Sequence, residues 1–283
     1  LGTALDDEAV ESTINTDQFN AITHIVSGNV MRVFTTGAEF VVSQDGSNPI
    51  TPASFLVRPQ TRLGSKPGVP IEDLNGAVIF VQRQGRSLNA FQYTDTAASY
   101  AVQPISVLSS HLMKDPIDLA VRRATSTDET DTIYLVNGDD GTMTVYSVLA
   151  SQAVVAATEF VTDGEFIAVG VEIASVYTIV KRTVNASVKY FFEKFDSGTY
   201  LDSALTGAAA STVNVTHLQA KEVQIIRDGF VESAQTVPAS PYTITFAEPA
   251  TASYQVGLNF TVTAVTMPAE PKLQSGSVQG VQK

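Results

Sequence analysis

Cysteine is absent from the 283 residues of this chain. Its absence excludes disulfides, cysteine-ligated zinc, iron–sulfur clusters and thiol nucleophiles. Tryptophan is absent as well, and aromatic residues make up only 8% of the chain, which weakens the case for a sugar-binding platform. No apolar run reaches the roughly 18–20 residues that span a bilayer, so we expect no membrane span.

Basic residues are few, with 17 Lys and Arg against 29 Asp and Glu and a net charge of −12. A protein that binds nucleic acid tightly must neutralise phosphates with Lys and Arg. The charge balance therefore weighs against tight DNA or RNA binding. It does not weigh against DNA passing nearby, because an acidic wall repels phosphate.

Catalytic and cofactor motifs are missing. Neither phosphate-binding glycine pattern occurs, and no Gly-x-Ser-x-Gly elbow is present. The histidines, His24, His111 and His217, do not have the spacing of a zinc site. A Ser-His-Asp triad or a carboxylate pair needs no proximity in sequence, so both stay open. We nevertheless expect no enzyme activity, no cofactor and no metal.

Four strand–turn–strand units dominate the first two thirds of the chain. They are "VMRVFTTGAEFVVSQ" from Val30, "AVIFVQRQGRSLNAFQYT" from Ala77, "TIYLVNGDDGTMTVYSV" from Thr132 and "VYTIVKRTVNASVKYFFEKF" from Val176. Antiparallel units at a period of about 40–50 residues are typical of propeller blades, although a sandwich would also supply alternating strands. The sequence predicts an all-β fold, with a β-propeller-like array of antiparallel hairpin blades followed by a small β-sandwich or barrel.

The domain boundaries follow from composition. We predict a propeller-like domain over 1–195, a linker over 196–212, a small β domain over 213–268, and the start of a further segment over 269–283. In the small domain, Asp228-Gly229 is a strong type I′ hairpin signal. The one substantial helix is expected over Pro104–Met113, where apolar residues have helical spacing. Because the chain begins with Leu and ends in an apparent new segment, we expect it to be a piece of a longer protein.

Three polar stretches could be sites or only turns. Gln82–Arg86 could hold an anion through its two arginines, but Gly85 suits a hairpin loop, which we favour. Val136–Thr142 has two carboxylates, yet it lacks the bidentate Glu of a calcium loop, so a turn is again favoured. The acidic stretch Thr127–Thr132 is interpreted as a solvated loop, with a single weak cation site as the alternative. In the last hairpin, Val188, Tyr190 and Phe192 alternate with Lys189, Phe191 and Glu193, as a half-buried strand requires.

Several segments, taken in order, carry a family resemblance. They are "DQFNAITHIVSGNVMRVFTTGAEFVVSQDG", "ITPASFLVRPQTRLGSKPGVPIEDLNG", "LSSHLM", "YLVNGDDGTMTVYSVLASQAVVAATEFVTDG", "YTIVKRTVNASVKYFFEKF" and "VTHLQAKEVQIIRDGFV". In this order they resemble the central region of the nozzle, or tail tubular protein B, of short-tailed bacteriophages, together with related tail-hub and stabilisation proteins. The resemblance runs from about Thr13 to Pro268.

The resemblance implies a structural role. Members of that family form a ring, usually sixfold, below the portal and adaptor, and they retain and then release the genome. The expected partners are further copies of the chain, the adaptor and other tail proteins, with DNA passing through without specific binding. The expected location is the virion tail, assembled in the bacterial host cytoplasm. The family has no catalytic residues to transfer.

Two other functions compete with this one. A receptor- or glycan-binding tail module, with or without glycosidase activity, would need exposed aromatics over a shallow groove. A bacterial cell-surface adhesion domain would need a secretion signal. For the structural role, the candidate inter-subunit contact is the basic group Arg58, Arg62 and Lys66 in "RPQTRLGSK", although solvated side chains explain it equally well.

Overall fold

The computed structural model describes residues 9–10, 20–43, 51, 55–152 and 154–265. Within these residues the regular secondary structure consists of β-strands and three short 3-10 helices. It divides into two compact units. The first runs to Thr199 and includes Thr216–Ala220, and the second contains Tyr200–Val215 and the residues from Lys221 onwards. The predicted segment 269–283 lies outside the described residues.

The first unit contains four antiparallel sheets in chain order. The first sheet has β1 (Ile22–Val26), β2 (Met31–Thr35), β3 (Glu39–Ser43) and β4 (Leu56–Thr61). The second has β5 (Glu72–Leu74), β6 (Ala77–Val81), β7 (Leu88–Thr94) and β8 (Ser99–Pro104). The third has β9 (Pro116–Arg122), β10 (Asp131–Asn137), β11 (Met143–Leu149) and β12 (Val154–Phe160). The fourth has β13 (Glu165–Glu172), β14 (Ser175–Val184) and β15 (Ser187–Lys194).

Each sheet is a meander, because every strand pairs with the next one along the chain. The four predicted hairpins correspond to β2–β3, β6–β7, β10–β11 and β14–β15, and the all-β prediction is confirmed. Tight turns make this possible. Asn75-Gly76 and Asn185-Ala186 have positive φ at both residues, as a type I′ turn requires. Closure of the array into a propeller stays a prediction.

Apolar side chains fill the space between successive sheets. The cluster between the first and second sheets contains Phe34, Val41, Val78, Phe80 and Phe91. The cluster between the second and third includes Ile79, Leu88, Leu119, Leu135 and Tyr146. The cluster between the third and fourth includes Val136, Val145, Phe166, Val176 and Val180. The first strands of the last three sheets are neighbours, since β5 contacts β9 and β9 contacts β13.

The helix predicted over Pro104–Met113 is wrong. Only a single 3-10 turn, η1 (Ser110–Leu112), forms there. The reason is pairing with a neighbouring strand: the N–H of Ile105 donates to the carbonyl of Leu88 over 2.8 Å, and Ser106 Oγ accepts the N–H of Leu88 over 3.0 Å. These bonds hold the backbone of the segment against β7, and the polar Ser side chain competes with helical pairing.

The second unit contains seven strands: β16 (Asp202–Gly207), β17 (Ala210–Asn214), β18 (Glu222–Arg227), β19 (Phe230–Val231), β20 (Gln235–Thr236), β21 (Thr243–Ala250) and β22 (Tyr254–Leu258). One sheet has the order β16-β22-β18-β19, with β20 also paired to β18, and the other pairs β17 with β21. Buried residues come from both sheets, among them Val213, Ile225, Ile244 and Val256. The Asp228-Gly229 turn joins β18 to β19 with positive φ at both residues, as predicted.

The segment 196–212 is not the linker that its small, polar residues predict. It contains β16 and the start of β17, and the second unit begins at Tyr200. Leu205 pairs with Val256 and Asp202 with Leu258. The partner strand is remote in sequence, so no local pattern reveals it, because strand formation depends on the neighbours a segment meets.

Candidate functional site

The outward-facing side of the fourth sheet is the clearest exposed apolar surface of the first unit. Along β14, alternate residues are buried against the third sheet, so Tyr177 and Ile179 point the other way. On β15 the residues that share their side are Val188, Tyr190 and Phe192, since Ile179 pairs with Phe192 and Lys181 with Tyr190. We call these five residues the outer face.

Aromatic side chains dominate the outer face. Phe192 is 75% exposed, Tyr190 66% and Val188 54%. The rings of Tyr177 and Phe192 stack with centroids 5.3 Å apart, and Lys194 Nζ lies 5.9 Å from the Tyr177 centroid. A contiguous exposed patch of this kind is typical of an interaction site.

A buried arginine holds the opposite side of the same sheet. Arg182 Nη1 donates to Thr162 Oγ1 over 2.6 Å and to the carbonyl of Asp163 over 2.9 Å. Its Nη2 donates to both carboxylate oxygens of Glu193, at 2.9 and 3.1 Å. The Arg182 side chain has no exposed surface and that of Glu193 is 19% exposed. These bonds fix β15 to β14, so the outer face lies on a rigid support.

A second exposed apolar region is a shallow groove between the loop after β8 and β12. Its lining includes Ile105, Leu108, His111, Leu112 and Val155. Leu108 is 94% exposed. The groove is partly open to solvent.

The buried Asn137 holds the loop that forms one wall of the groove. Its Nδ2 donates to the carbonyl of Leu112 over 3.1 Å, and its Oδ1 accepts the N–H of Lys114 over 3.1 Å. Its remaining donor capacity goes to the hydroxyls of Thr142 and Thr144, each at 3.0 Å. Both the donor and the acceptor groups of the Asn137 side chain are therefore used in hydrogen bonds that hold the fold.

The three basic residues proposed as an inter-subunit contact do not share one exposed patch. Arg58, on β4, and Arg62, just after it, are exposed. Lys66 is mostly buried, and its Nζ donates to Asp115 Oδ1 over 2.6 Å and to the carbonyl of Pro116 over 2.7 Å. Lys66 therefore ties the segment between β4 and β5 to the start of β9. This leaves Arg58 and Arg62 as the candidates for a contact with another molecule.

The Gln82–Arg86 stretch is a turn. The N–H of Gln82 donates to the carbonyl of Ser87 over 2.9 Å, the N–H of Gly85 donates to that of Gln82 over 2.8 Å, and Gly85 has a φ of 68°. These contacts close the β6–β7 hairpin in the way the glycine predicts.

Val136–Thr142 also closes a hairpin. Asp140 Oδ1 accepts from the N–H and hydroxyl of Thr142, and Asp140 Oδ2 accepts from Lys114 Nζ over 2.7 Å. The Lys114 ammonium and these hydrogen bonds hold the pKa of Asp140 below its usual range, against the effect of its partial burial. Among the described residues no group of three or more His, Cys, Asp or Glu could hold a metal ion.

The acidic stretch 127–132 is held by two of its carboxylates, Glu129 and Asp131, and Asp131 accepts the N–H of Ala124 over 2.8 Å. Glu129 accepts from the N–H and hydroxyl of Thr125, at 2.9 and 2.8 Å, and forms an ion pair with Arg122. These contacts lower the pKa of Glu129 to about 2, with the backbone hydrogen bond of Thr125 the largest cause. The loop is thus ordered by internal bonds.

The histidines lie in three separate places. His24 is on β1, His111 in η1, and His217 in a 3-10 turn, η3 (Thr216–Leu218). Burial lowers the pKa of His24. The ring centroids of His217 and Phe191 lie 6.5 Å apart. The structure does not bring the histidines together.

No protein-family model and no curated protein matches this sequence. In the part of the chain that the structure describes, no helix has the length and apolarity needed to cross a bilayer. The outer face of the fourth sheet, the groove beside β12 and the exposed Arg58 and Arg62 are the surfaces from which a function can be inferred.

Proposed function

We propose that the protein is a structural component of a bacteriophage tail. It is a nozzle or tail-hub subunit that forms part of the DNA-conducting channel and takes part in genome retention and release. The observation that carries this proposal is the array of four antiparallel sheets, stacked through apolar clusters, that ends in an exposed apolar face. The ordered resemblance to short-tailed phage nozzles supports the same role.

The exposed end of the array indicates assembly. Repeating units that stack in one direction bury their faces against each other, and their terminal units need a polar outer face to stay soluble. The fourth sheet instead presents Tyr190 and Phe192, both more than half exposed. An array with such an end is suited to a protein that works as one part of a larger assembly.

The charge of the chain suits a conduit. With a net charge of −12, the protein releases few counterions from DNA and so binds it weakly. An acidic channel wall keeps the genome mobile, because it repels phosphate. In this proposal copies of the chain form a homo-oligomeric ring, sixfold by the resemblance, that contacts the adaptor and other tail proteins.

Mass spectrometry of purified phage particles tests this function. Particles of the phage that encodes the chain should contain its peptides in several copies per virion, at a ratio to the portal protein near that of a ring. Tail-less heads purified from the same lysate are the control and should contain far less of it. If intact virions lack the polypeptide, the proposal is overturned.

The second candidate, a glycan-binding tail module, has one observation in its favour. The exposed rings of Tyr190 and Phe192, together with the half-buried ring of Tyr177, offer the aromatic surface on which sugar rings stack. A glycan array compares wild type with Phe192→Ala. Binding by the wild type that the variant loses would favour this role, and a polysaccharide-cleavage assay would then test for glycosidase activity.

A further inference from the structure

The fourth sheet differs from the other three in its outermost strand. The first three sheets each have four strands, whereas the described residues of the fourth form only β13, β14 and β15. On its outer side β15 pairs with no described residue. The position that β4, β8 and β12 occupy in their sheets is thus open in the fourth sheet.

The backbone groups at this open edge can be assigned from the hairpin. The two-residue turn Asn185-Ala186 makes Val184 and Ser187 the closing pair, which is hydrogen-bonded in a type I′ hairpin. The bond from the N–H of Phe195 to the carbonyl of Val176, at 3.0 Å, continues the same alternation. Odd-numbered residues of β15 therefore bond to β14, and even-numbered residues direct their N–H and C=O groups to the open edge.

The open edge lacks one common protection against strand addition, a proline. Proline guards many natural edge strands, and β4 and β8 contain Pro59 and Pro104. β15 has no proline, and the residues that direct their backbone outwards include Val188, Tyr190 and Phe192. Unpaired backbone groups combined with exposed apolar side chains are what β-strand addition uses.

We propose that a second copy of this chain adds its own β15 to this edge, antiparallel, about a twofold axis at Phe191. In this register Tyr190 lies opposite Phe192 of the second copy. Because both residues direct their backbone N–H and C=O groups to the open edge, they form a hydrogen-bonded pair. By symmetry the same pair forms twice. The result is one continuous sheet across two copies, on which the two outer faces join.

Charge selects this register over its neighbours. Lys189 is exposed and stands opposite Glu193 of the second copy, again twice. A shift of two residues in either direction places Lys189 opposite Phe191 or Phe195 and loses both pairs. Opposite charges directly across an antiparallel pair stabilise it. Because Glu193 already binds Arg182, the additional pairing fixes the register more than it strengthens the contact.

This contact does not depend on the tail assignment. A closed pair of β15 strands joins two copies and leaves no strand edge free between them, so ring contacts would use other surfaces. Experiments on purified protein test this contact, and their outcome does not depend on whether virions contain the chain.

The first experiment uses the natural absence of cysteine. In Phe191→Cys the two sulfur-bearing residues face each other in a non-hydrogen-bonded pair, with a Cα separation of about 4.5 Å, within the range of a disulfide. The matched control is Thr183→Cys, which is exposed but lies on the central strand β14. Under mild oxidation, non-reducing denaturing gels should show Phe191→Cys mostly as a covalent dimer, while Thr183→Cys forms no covalent dimer. Equal dimer fractions in the two variants would overturn the proposal.

The second experiment removes one backbone donor. The N–H of Phe192 points to the open edge, so Phe192→Pro keeps the β14–β15 ladder but blocks strand addition. Phe192→Thr is the control, since it removes the ring and keeps the N–H. Light scattering over a concentration series should find dimer for wild type, a weakened dimer for Phe192→Thr and monomer for Phe192→Pro, with similar circular dichroism spectra throughout. A monomeric wild type, or an oligomer that Phe192→Pro leaves unchanged, would contradict the proposal.

Discussion

Replacing Arg182 by Met should destabilise the first unit strongly. The Met side chain is unbranched and apolar, shorter than that of Arg, and has neither the charge nor the donors that hold Thr162, the Asp163 carbonyl and Glu193. Thr162 and the Asp163 carbonyl lose the donors that Arg182 supplies, and the carboxylate of Glu193 loses its buried partner. The main cost falls on Glu193, because its mostly buried carboxylate is left with an unpaired charge.

The size of the effect follows from burial. Breaking a buried ion pair by removing one partner costs about 3–5 kcal/mol. Glu193 is 19% exposed and recovers some contact with water, so we expect the lower end, about 3 kcal/mol. For a domain of this size each kcal/mol corresponds to roughly 2–4 °C, which predicts a fall in Tm of about 6–12 °C.

Thermal unfolding followed by far-UV circular dichroism measures this fall, with urea unfolding as a second measurement. The matched control is Lys181→Met on the adjacent residue of the same strand. Lys181 pairs with Glu165 over 2.9 Å on the exposed side, and an exposed pair contributes about 0–1 kcal/mol. If the two variants melt at the same temperature, the buried network does not hold the fourth sheet.

Three further predictions concern charge. Burial raises the pKa of the Glu39 carboxyl, so the folded state favours its protonated form. The free energy of unfolding of the wild type should therefore fall relative to that of Glu39→Gln as pH rises. If the difference in urea midpoint between the two proteins is the same at pH 5 and pH 8, this prediction is refuted. DNA affinity should be weak and nearly independent of salt in a filter-binding assay, and tight, salt-dependent binding would contradict the conduit role. The double variant Arg58→Ala, Arg62→Ala should keep its Tm within about 1 °C of wild type but assemble into rings less well. Lys66→Ala should instead lower the Tm, because it breaks the bond to Asp115. Unchanged ring assembly in the double variant would mean that both arginines are only solvated.

The hairpins could be predicted because their signals are local. Gly85 and Asp228-Gly229 supply positive φ within a few residues of the strands they join. The helix and the linker were mispredicted because remote partners decide those segments. Ser106 bonds to Leu88, and Leu205 pairs with Val256, and neither contact leaves a local trace in the sequence.

The candidate site could be predicted only in part. The alternation of Val188, Tyr190 and Phe192 is visible in the sequence, but which side of β15 is exposed depends on where the third sheet packs. Sequence alone groups Lys66 with Arg58 because the two are near each other in the chain, whereas the partner of Lys66 is Asp115, 49 residues further along.

Cryo-electron microscopy of intact particles tests the central claim most directly. We expect a ring of copies in the tail, with the four stacked antiparallel sheets of each copy fitting the density around the DNA channel. Tail density that cannot accommodate these sheets, in particles known to contain the polypeptide, would contradict the account.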